Sequence, residues 1–329
     1  MSLIGPDGNV RSLRNIAALL VCVCKHFATL ISAMKVLAFG EILWDIIEKE
    51  EHLGGAPFNF IAHTAQCGND AYIVSRLGSD FRAMKALNRC KSYGVSERYI
   101  QRDENLPTGI VEVTLREGQP DYVIVENVAW DNIAFDESLA GIEDENFDVF
   151  YFGTLAQRGQ RSAETLEKIL SSFSFRQTFC DINLRKTGYN AVSIRKSLLH
   201  ATMLKLNHEE VPVVASLVAG KVLDIPDFCS WVTKQFTDIN LVIVTAAEKG
   251  CFVSHENRFI PVPGVPVQVL DAVGAGDSFS AAFLHVFVRT GNPELAGRVA
   301  NSVGAFVATQ RGAIPAYTRE VRRMIGTLT

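Results

Sequence analysis

Toward the C-terminal end of the 329-residue chain stands Gly274-Ala275-Gly276-Asp277, followed by Ser278-Phe279-Ser280-Ala281-Ala282-Phe283-Leu284. The trailing residues are small or apolar at helical spacing and contain no Gly or Pro, which predicts a helix. Val267 and Val269 lead into Asp271 and predict a strand before the turn. Glycines let backbone N–H groups approach an anion closely, and a helix N-terminus adds partial positive charge. That suits a phosphate whose negative charge grows during transfer. Asp277 falls in the first helical turn, beside that anion site, where a carboxylate can take a proton from an attacking hydroxyl. The same residues also suit a plain helix cap, with Asp277 satisfying orphan N–H groups.

The chain must supply a scaffold for such a turn. Its length suits one large α/β domain or two ordinary ones, and 48% hydrophobic residues with 21% charged residues support a substantial core. A net charge of −4 argues against a general nucleic-acid or anionic-membrane binder. Seven scattered cysteines without a Cys-x-x-Cys pair fit a reducing, cytoplasmic compartment. Residues 1–33 differ in texture and are read as an atypical N-terminal extension. Their apolar run, Ile16 to Cys24, is too short for a membrane span, which takes about 20 residues. Residues 34–329 are expected to form the functional domain.

Within that domain, Met34 to Gly40 reads as a first buried strand, and Asp45 stands where the next segment leaves the core. Gly54-Gly55-Ala56-Pro57-Phe58-Asn59 reads as a close-approach turn opening a helix. Gly109 to Glu126 alternates apolar and polar residues around a Glu117–Pro120 turn, the mark of a β-hairpin with one wet face. From Phe147 onward strands and helices alternate, with polar clusters at the strand ends: Asp181-Ile-Asn183-Leu-Arg185, Asn207-x-x-Glu210 and Thr245-Ala-Ala247-Glu-Lys-Gly250. In a parallel sheet those ends converge on one crevice. Asn207 and Glu210 also make sense as a cap and a dipole partner. Asn292-Pro293 starts a last long helix, with Ala300, Gly304 and Ala308 as a small-residue stripe that suits close helix packing.

Asp271-Ala-Val-Gly-Ala-Gly-Asp277 resembles the C-terminal motif of the ribokinase-like (PfkB) sugar kinases, and Gly-Gly-Ala-Pro-x-Asn59 resembles their N-terminal sugar-binding motif, especially in the fructokinase branch. The resemblance covers roughly residues 34 to 315. It implies a ribokinase-like α/β fold: a mainly parallel, doubly wound sheet with helices on both faces, plus a small β-sheet lid from about 42–52 and 99–128. It implies an ATP-dependent kinase acting on a primary hydroxyl of a ketose, with fructose foremost. By the same resemblance Asp277 is the base and Gly274, Ala275 and Gly276 complete the anion hole. Asp45, Gly54, Gly55, Asn59 and Arg185 bind sugar, and Asn207, Thr245, Gly250, Asn301 and Gly304 lie along the nucleotide. Glu210 holds Mg²⁺ through water, Asp271 lies near a possible K⁺, and the lid pairs two copies into a homodimer. Three departures stand out: Ala83 where the family has Gly, Ala247 where it has Gly, and Ala272 where it has Thr. They keep open a non-catalytic sugar- or nucleotide-binding regulator, beside kinases of ribose, 2-keto-3-deoxygluconate or a nucleoside. A nicotinamide enzyme is disfavoured, because no Gly-x-Gly-x-x-Gly follows the first strand.

Overall fold

A computed structural model describes residues 33–47, 50–116, 119–185 and 188–326. The expectations for residues 1–32 lie outside the described residues. The first half of the domain runs β1 (Lys35–Phe39), β2 (Leu43–Ile47), β3 (Glu50–Gly54), α1 (Ala56–Gln66), β4 (Asp70–Gly78), α2 (Phe81–Ser92), β5 (Val95–Ser96), β6 (Ile100–Asp103), β7 (Gly109–Arg116) and β8 (Gln119–Ile124). The second half alternates: β9 (Val149–Gly153), α3 (Gln160–Ser172), β10 (Gln177–Asp181), α4 (Ala191–His200), β11 (Met203–Asn207), α5 (Glu210–Ala219), α6 (Ile225–Gln235) and β12 (Leu241–Thr245). It closes with the hairpin β13 (Gly250–His255) and β14 (Arg258–Pro263), then α7 (Ala275–Thr290), α8 (Pro293–Ala308) and α9 (Arg319–Gly326).

The central sheet has the order β14-β13-β12-β11-β10-β9-β1-β4-β5, with β6 also paired to β4. The strands from β12 across to β5 run parallel, and the β13–β14 hairpin adds an antiparallel edge. The chain leaves β1 toward β4, then returns to β9 on the other side, so the strand order reverses beside β1. That reversal opens a crevice at the carboxyl ends of β1 and β9, where open α/β sheets bind ligands. The inner strands β1, β9, β10, β11 and β12 are mostly apolar because both faces are covered. On β1, Val36 and Ala38 join a core with Ile61, Phe283 and Val303, whereas Leu37 and Phe39 join the opposite core with Leu166, Leu198 and Val214. A second sheet, β3-β2-β7-β8, carries the predicted hairpin and the Asp45 strand.

One expected element is missing. Residues 264–274 form no strand, and Val269 and Leu270 are 60% and 58% exposed. Pro266 lacks the N–H group that a ladder needs. The segment bonds instead to the end of α8, through Leu270 N–H to the Ala308 carbonyl at 2.8 Å. The turn at Gly274 is therefore reached by an irregular loop.

Candidate active site

Asp277 is the third residue of α7, whose N-cap is Gly274 at φ 78°. The left-handed cap suits glycine, and a Cβ there would collide with the backbone of Ala313. The N–H groups of Ala275, Gly276 and Asp277 lie in the first turn, which has no intrahelical acceptors to offer them, and that of Ala275 makes a long bond to the Ala272 carbonyl at 3.3 Å. The Asp277 carboxylate is fixed from another element: Asn59 Nδ2, on α1, donates to Asp277 Oδ2 at 2.8 Å. Helix α1 starts at Gly55, whose φ of 106° and contact with the Glu41 carbonyl leave no room for a side chain. The two glycine turns thus bring residues 218 positions apart into one hydrogen bond. Burial pushes the Asp277 pKa up to about 6, against the pull of the Lys205 charge and the Asn59 hydrogen bond.

Two further acids share the crevice. Asp45, on β2, is half-buried, and a Cβ on Gly54 would stand 2.5 Å from its Oδ2. Gly54 is therefore the space that this carboxylate occupies. Burial raises the Asp45 pKa to about 6, with His52 and Arg185 acting the other way. Glu41, just beyond β1, is 3% exposed, and burial raises its pKa to about 7. Arg185, exposed beyond β10, acts through its charge to lower the pKa of Glu41, Asp45 and Asp277 alike.

Beneath Asp277 lies a buried polar cluster. Asp181 Oδ2, at the end of β10, accepts from Lys205 Nζ at 2.8 Å, Tyr151 Oη at 3.1 Å and Ser280 Oγ at 3.1 Å. Burial opposes the Lys205 charge, but Asp181 more than offsets it and the lysine pKa stands above its ordinary value.

The residues assigned to the nucleotide side fall at neighbouring strand ends. Asn207 and Thr245 are register partners on β11 and β12. Asn207 Oδ1 accepts from the N–H groups of Glu209 and Glu210 at 2.9 Å each. Glu210 returns one oxygen to Asn207 N–H at 2.8 Å and the other to Leu184 N–H at 2.7 Å. The reciprocal cap is thus real, and it ties α5 to the loop carrying Arg185. Among the described residues no three His, Cys, Asp or Glu side chains gather into a metal cage. The single carboxylate of Glu210, beside Asn207, fits Mg²⁺, which keeps several waters and is held mainly by substrate phosphates with one or two carboxylates. Asp271 is committed to the backbone, accepting from Val273 N–H and Gly312 N–H at 3.0 Å each.

Gly250 has φ 93° and backs onto β14, so glycine is required there. Ala247 takes φ 48° without being glycine. Asn301 donates to the carbonyls of Val262 and Pro263 at 3.2 and 2.9 Å, which pins α8 to β14. A Cβ on Gly304 would stand 3.1 Å from the Ala275 carbonyl, so its small size serves the close packing of α8 on the first turn of α7. At the Ala83 departure, Asp80 caps α2 by accepting from Ala83 N–H at 2.8 Å, so alanine does not disturb that turn.

Glu41, Asp181 and Lys205 were not marked as site residues by sequence reasoning. The available signal was charge inside an apolar strand, as in Met203-Leu-Lys205-Leu and Phe179-Cys-Asp181. Lone charges in strands buried on both faces need a partner.

Comparison with known proteins bears on the family and the fold. Residues 21–319 match the family model described as pfkB family carbohydrate kinase. An uncharacterized sugar kinase from Pyrococcus horikoshii is 26% identical over 301 residues, which is 84% of this chain and 91% of that protein. Its crystal structure aligns with a TM-score of 0.75 over 88% of this chain and 99% of its own. Fructokinase-1 of Oryza sativa is 26% identical over 313 residues, covering 87% of this chain and 95% of the relative. A fructokinase from Xylella fastidiosa with bound ATP aligns at 23% identity with a TM-score of 0.77, over 89% and 97% of the two chains.

Proposed function

The chain belongs to the pfkB family of carbohydrate kinases, and on that premise we propose that it transfers the γ-phosphate of ATP to a primary hydroxyl of a ketose, fructose first. The observation that carries this reading is the Asn59–Asp277 hydrogen bond, which aims a carboxylate with a pKa near 6 across the open N-terminus of α7. A base poised near neutral pH, beside backbone donors for a phosphate, is what hydroxyl phosphorylation needs.

Asp45, Asn59 and Arg185 would hold the sugar hydroxyls, with Gly54 and Gly55 giving the close backbone approach. Asn59 both orients Asp277 and keeps its Oδ1, which is buried and unpartnered, for a hydroxyl donor. Asp277 accepts the proton of the primary hydroxyl as that oxygen forms its bond to the γ-phosphorus. The bond from phosphorus to the β–γ bridging oxygen breaks, and ADP leaves with the electron pair. The N–H groups of Ala275 to Asp277 stabilise the charge on the transferring oxygens. Mg²⁺ would neutralise charge on the phosphates when bound, with Glu210 and Asn207 reaching it through water. A K⁺ near Asp271 would order the same loops. The β3-β2-β7-β8 sheet would cover the sugar and, through its outer face, a second copy of the chain. The five described cysteines are all buried, in keeping with a cytoplasmic site of action. Among the described residues no helix is long and apolar enough to cross a membrane.

The test is ADP release with Mg²⁺ and ATP over fructose, ribose, mannose and 2-keto-3-deoxygluconate, with and without K⁺. Turnover on fructose is expected. Turnover on another sugar alone would keep the mechanism and overturn the specificity. Asp277→Asn should lower kcat at least about 100-fold with little change in KM, and a loss under tenfold would remove Asp277 as the base.

A further inference from the structure

The cluster under Asp277 has no part in the chemistry described so far. Asp181 and Lys205 are register partners on adjacent parallel strands, β10 and β11, and are 1% and 7% exposed. Three donors share Asp181 Oδ2, while its Oδ1 has no partner. One donor, Ser280, lies three residues beyond Asp277 on α7 and is fully buried. Lys205 Nζ stands 3.6 Å from where a Cβ on Gly276 would be, so a buried ammonium lies directly behind the anion hole. Buried ion pairs are costly to desolvate and weak as stabilisers. A pair placed between the base and the sheet is better explained by what it does to the base.

We propose that Lys205, clamped on Asp181, is a positioning residue that supplies the fixed positive charge keeping Asp277 ionised, while Ser280 ties the first turn of α7 to the same clamp. This rests on the reading of Asp277 as the base. The groups facing Asp277 are Asn59 from α1, Glu41 beyond β1, Tyr151 on β9, Asp181 on β10, Arg185 beyond it and Lys205 on β11. Glu41 and Asp181 are the negative ones and favour its protonated form. Arg185 is exposed, and water screens it. Lys205 is the buried cation of the set, and its effect on Asp277 exceeds that of Arg185.

The opposite charges of the two clamp residues make the inference testable. The acid limb of kcat/KM against pH reports the free enzyme's base. In Lys205→Met the limb should move up by about one pH unit, and in Asp181→Asn it should move down. Lys205→Arg should keep the limb in place, because it keeps the charge. Ser280→Ala, which alters no charge, should lower kcat without moving the limb. A purely structural cluster would give losses of rate with the limb fixed in every variant, and that result overturns the inference. Should Lys205→Met not fold, Asp181→Asn reads the same point with the opposite sign, and an unmoved limb there is equally fatal. Asp277→Asn separates the two readings. If it loses turnover while the limb stays fixed in Lys205→Met and Asp181→Asn, only this inference fails. If it keeps turnover, the base assignment fails and takes the inference with it.

Discussion

At Ala247 a single methyl group costs the fold something. Its φ of 48° lies in the left-handed region, which penalises any Cβ by about 1–2 kcal/mol. The residue is exposed, and the turn it makes ends at Gly250, where the backbone of β14 leaves no alternative path. Ala247→Gly should therefore stabilise the chain by about 0.5–1 kcal/mol, after the greater unfolded-state entropy of glycine is subtracted. Urea unfolding of the two proteins checks this, and a destabilised glycine variant would show that the turn carries no strain. Asp277 gives a second prediction at this scale. As the proposed base, its carboxylate must be ionised to act, so kcat/KM should rise through about pH 6 and level off above pH 7. A profile flat from pH 5 to 8 would contradict that role.

The elements that carry the site are α1 and α7, and their starts were legible because the signals are local. Gly55 and Gly274, each at positive φ, announce turns that suit glycine, and Asn292-Pro293 announces the α8 start, where Asn292 does accept from Leu295 N–H at 3.0 Å. The strands of the second half were legible as apolar runs between polar clusters. What the sequence hid is set by register and long-range contact. Asp181 and Lys205 meet only because β10 and β11 pair in that register, and Asn59 reaches Asp277 only because α1 packs on α7. The strand expected at Val267 is absent because apolar, β-branched content does not offset Pro266, which lacks a ladder N–H. The α7–α8 contact carries its own prediction. Gly304→Val would press on the Ala275 carbonyl, which already stands 3.1 Å from the position of the first added carbon. Overpacking of that kind costs about 1–3 kcal/mol, and it should also lower kcat by disturbing the turn proposed as the anion hole. A variant with unchanged melting and unchanged kcat would show that the helices part freely.

For the molecule as a whole, the site is a concentration of unfavourable charge. Glu41, Asp45 and Asp277 all have pKa values raised above their unfolded ones, chiefly by burial. An acid whose folded pKa is raised binds a proton more readily when folded. Its contribution to stability is therefore lost as pH climbs from the unfolded value near 4 through the folded value near 6 or 7. His63 and His285, buried and held near a pKa of 4, act with the opposite sign, because the unfolded chain takes up their protons first as pH falls below about 6.5. The two sets oppose each other between pH 5 and 7, so the overall pH profile hides the acids and a difference measurement is needed. Asp277→Asn removes the buried charge and keeps the shape and the bond to Asn59. It should be more stable than the parent at pH 8, and that advantage should shrink by on the order of 1 kcal/mol by pH 5, where Asp277 is itself largely neutral. Urea unfolding of both proteins at the two pH values decides it. An advantage that did not depend on pH would mean that Asp277 is not held in a desolvating site. A pH-dependent one, in a variant that has lost turnover, would show that the fold gives up stability to keep a charged base at the head of α7.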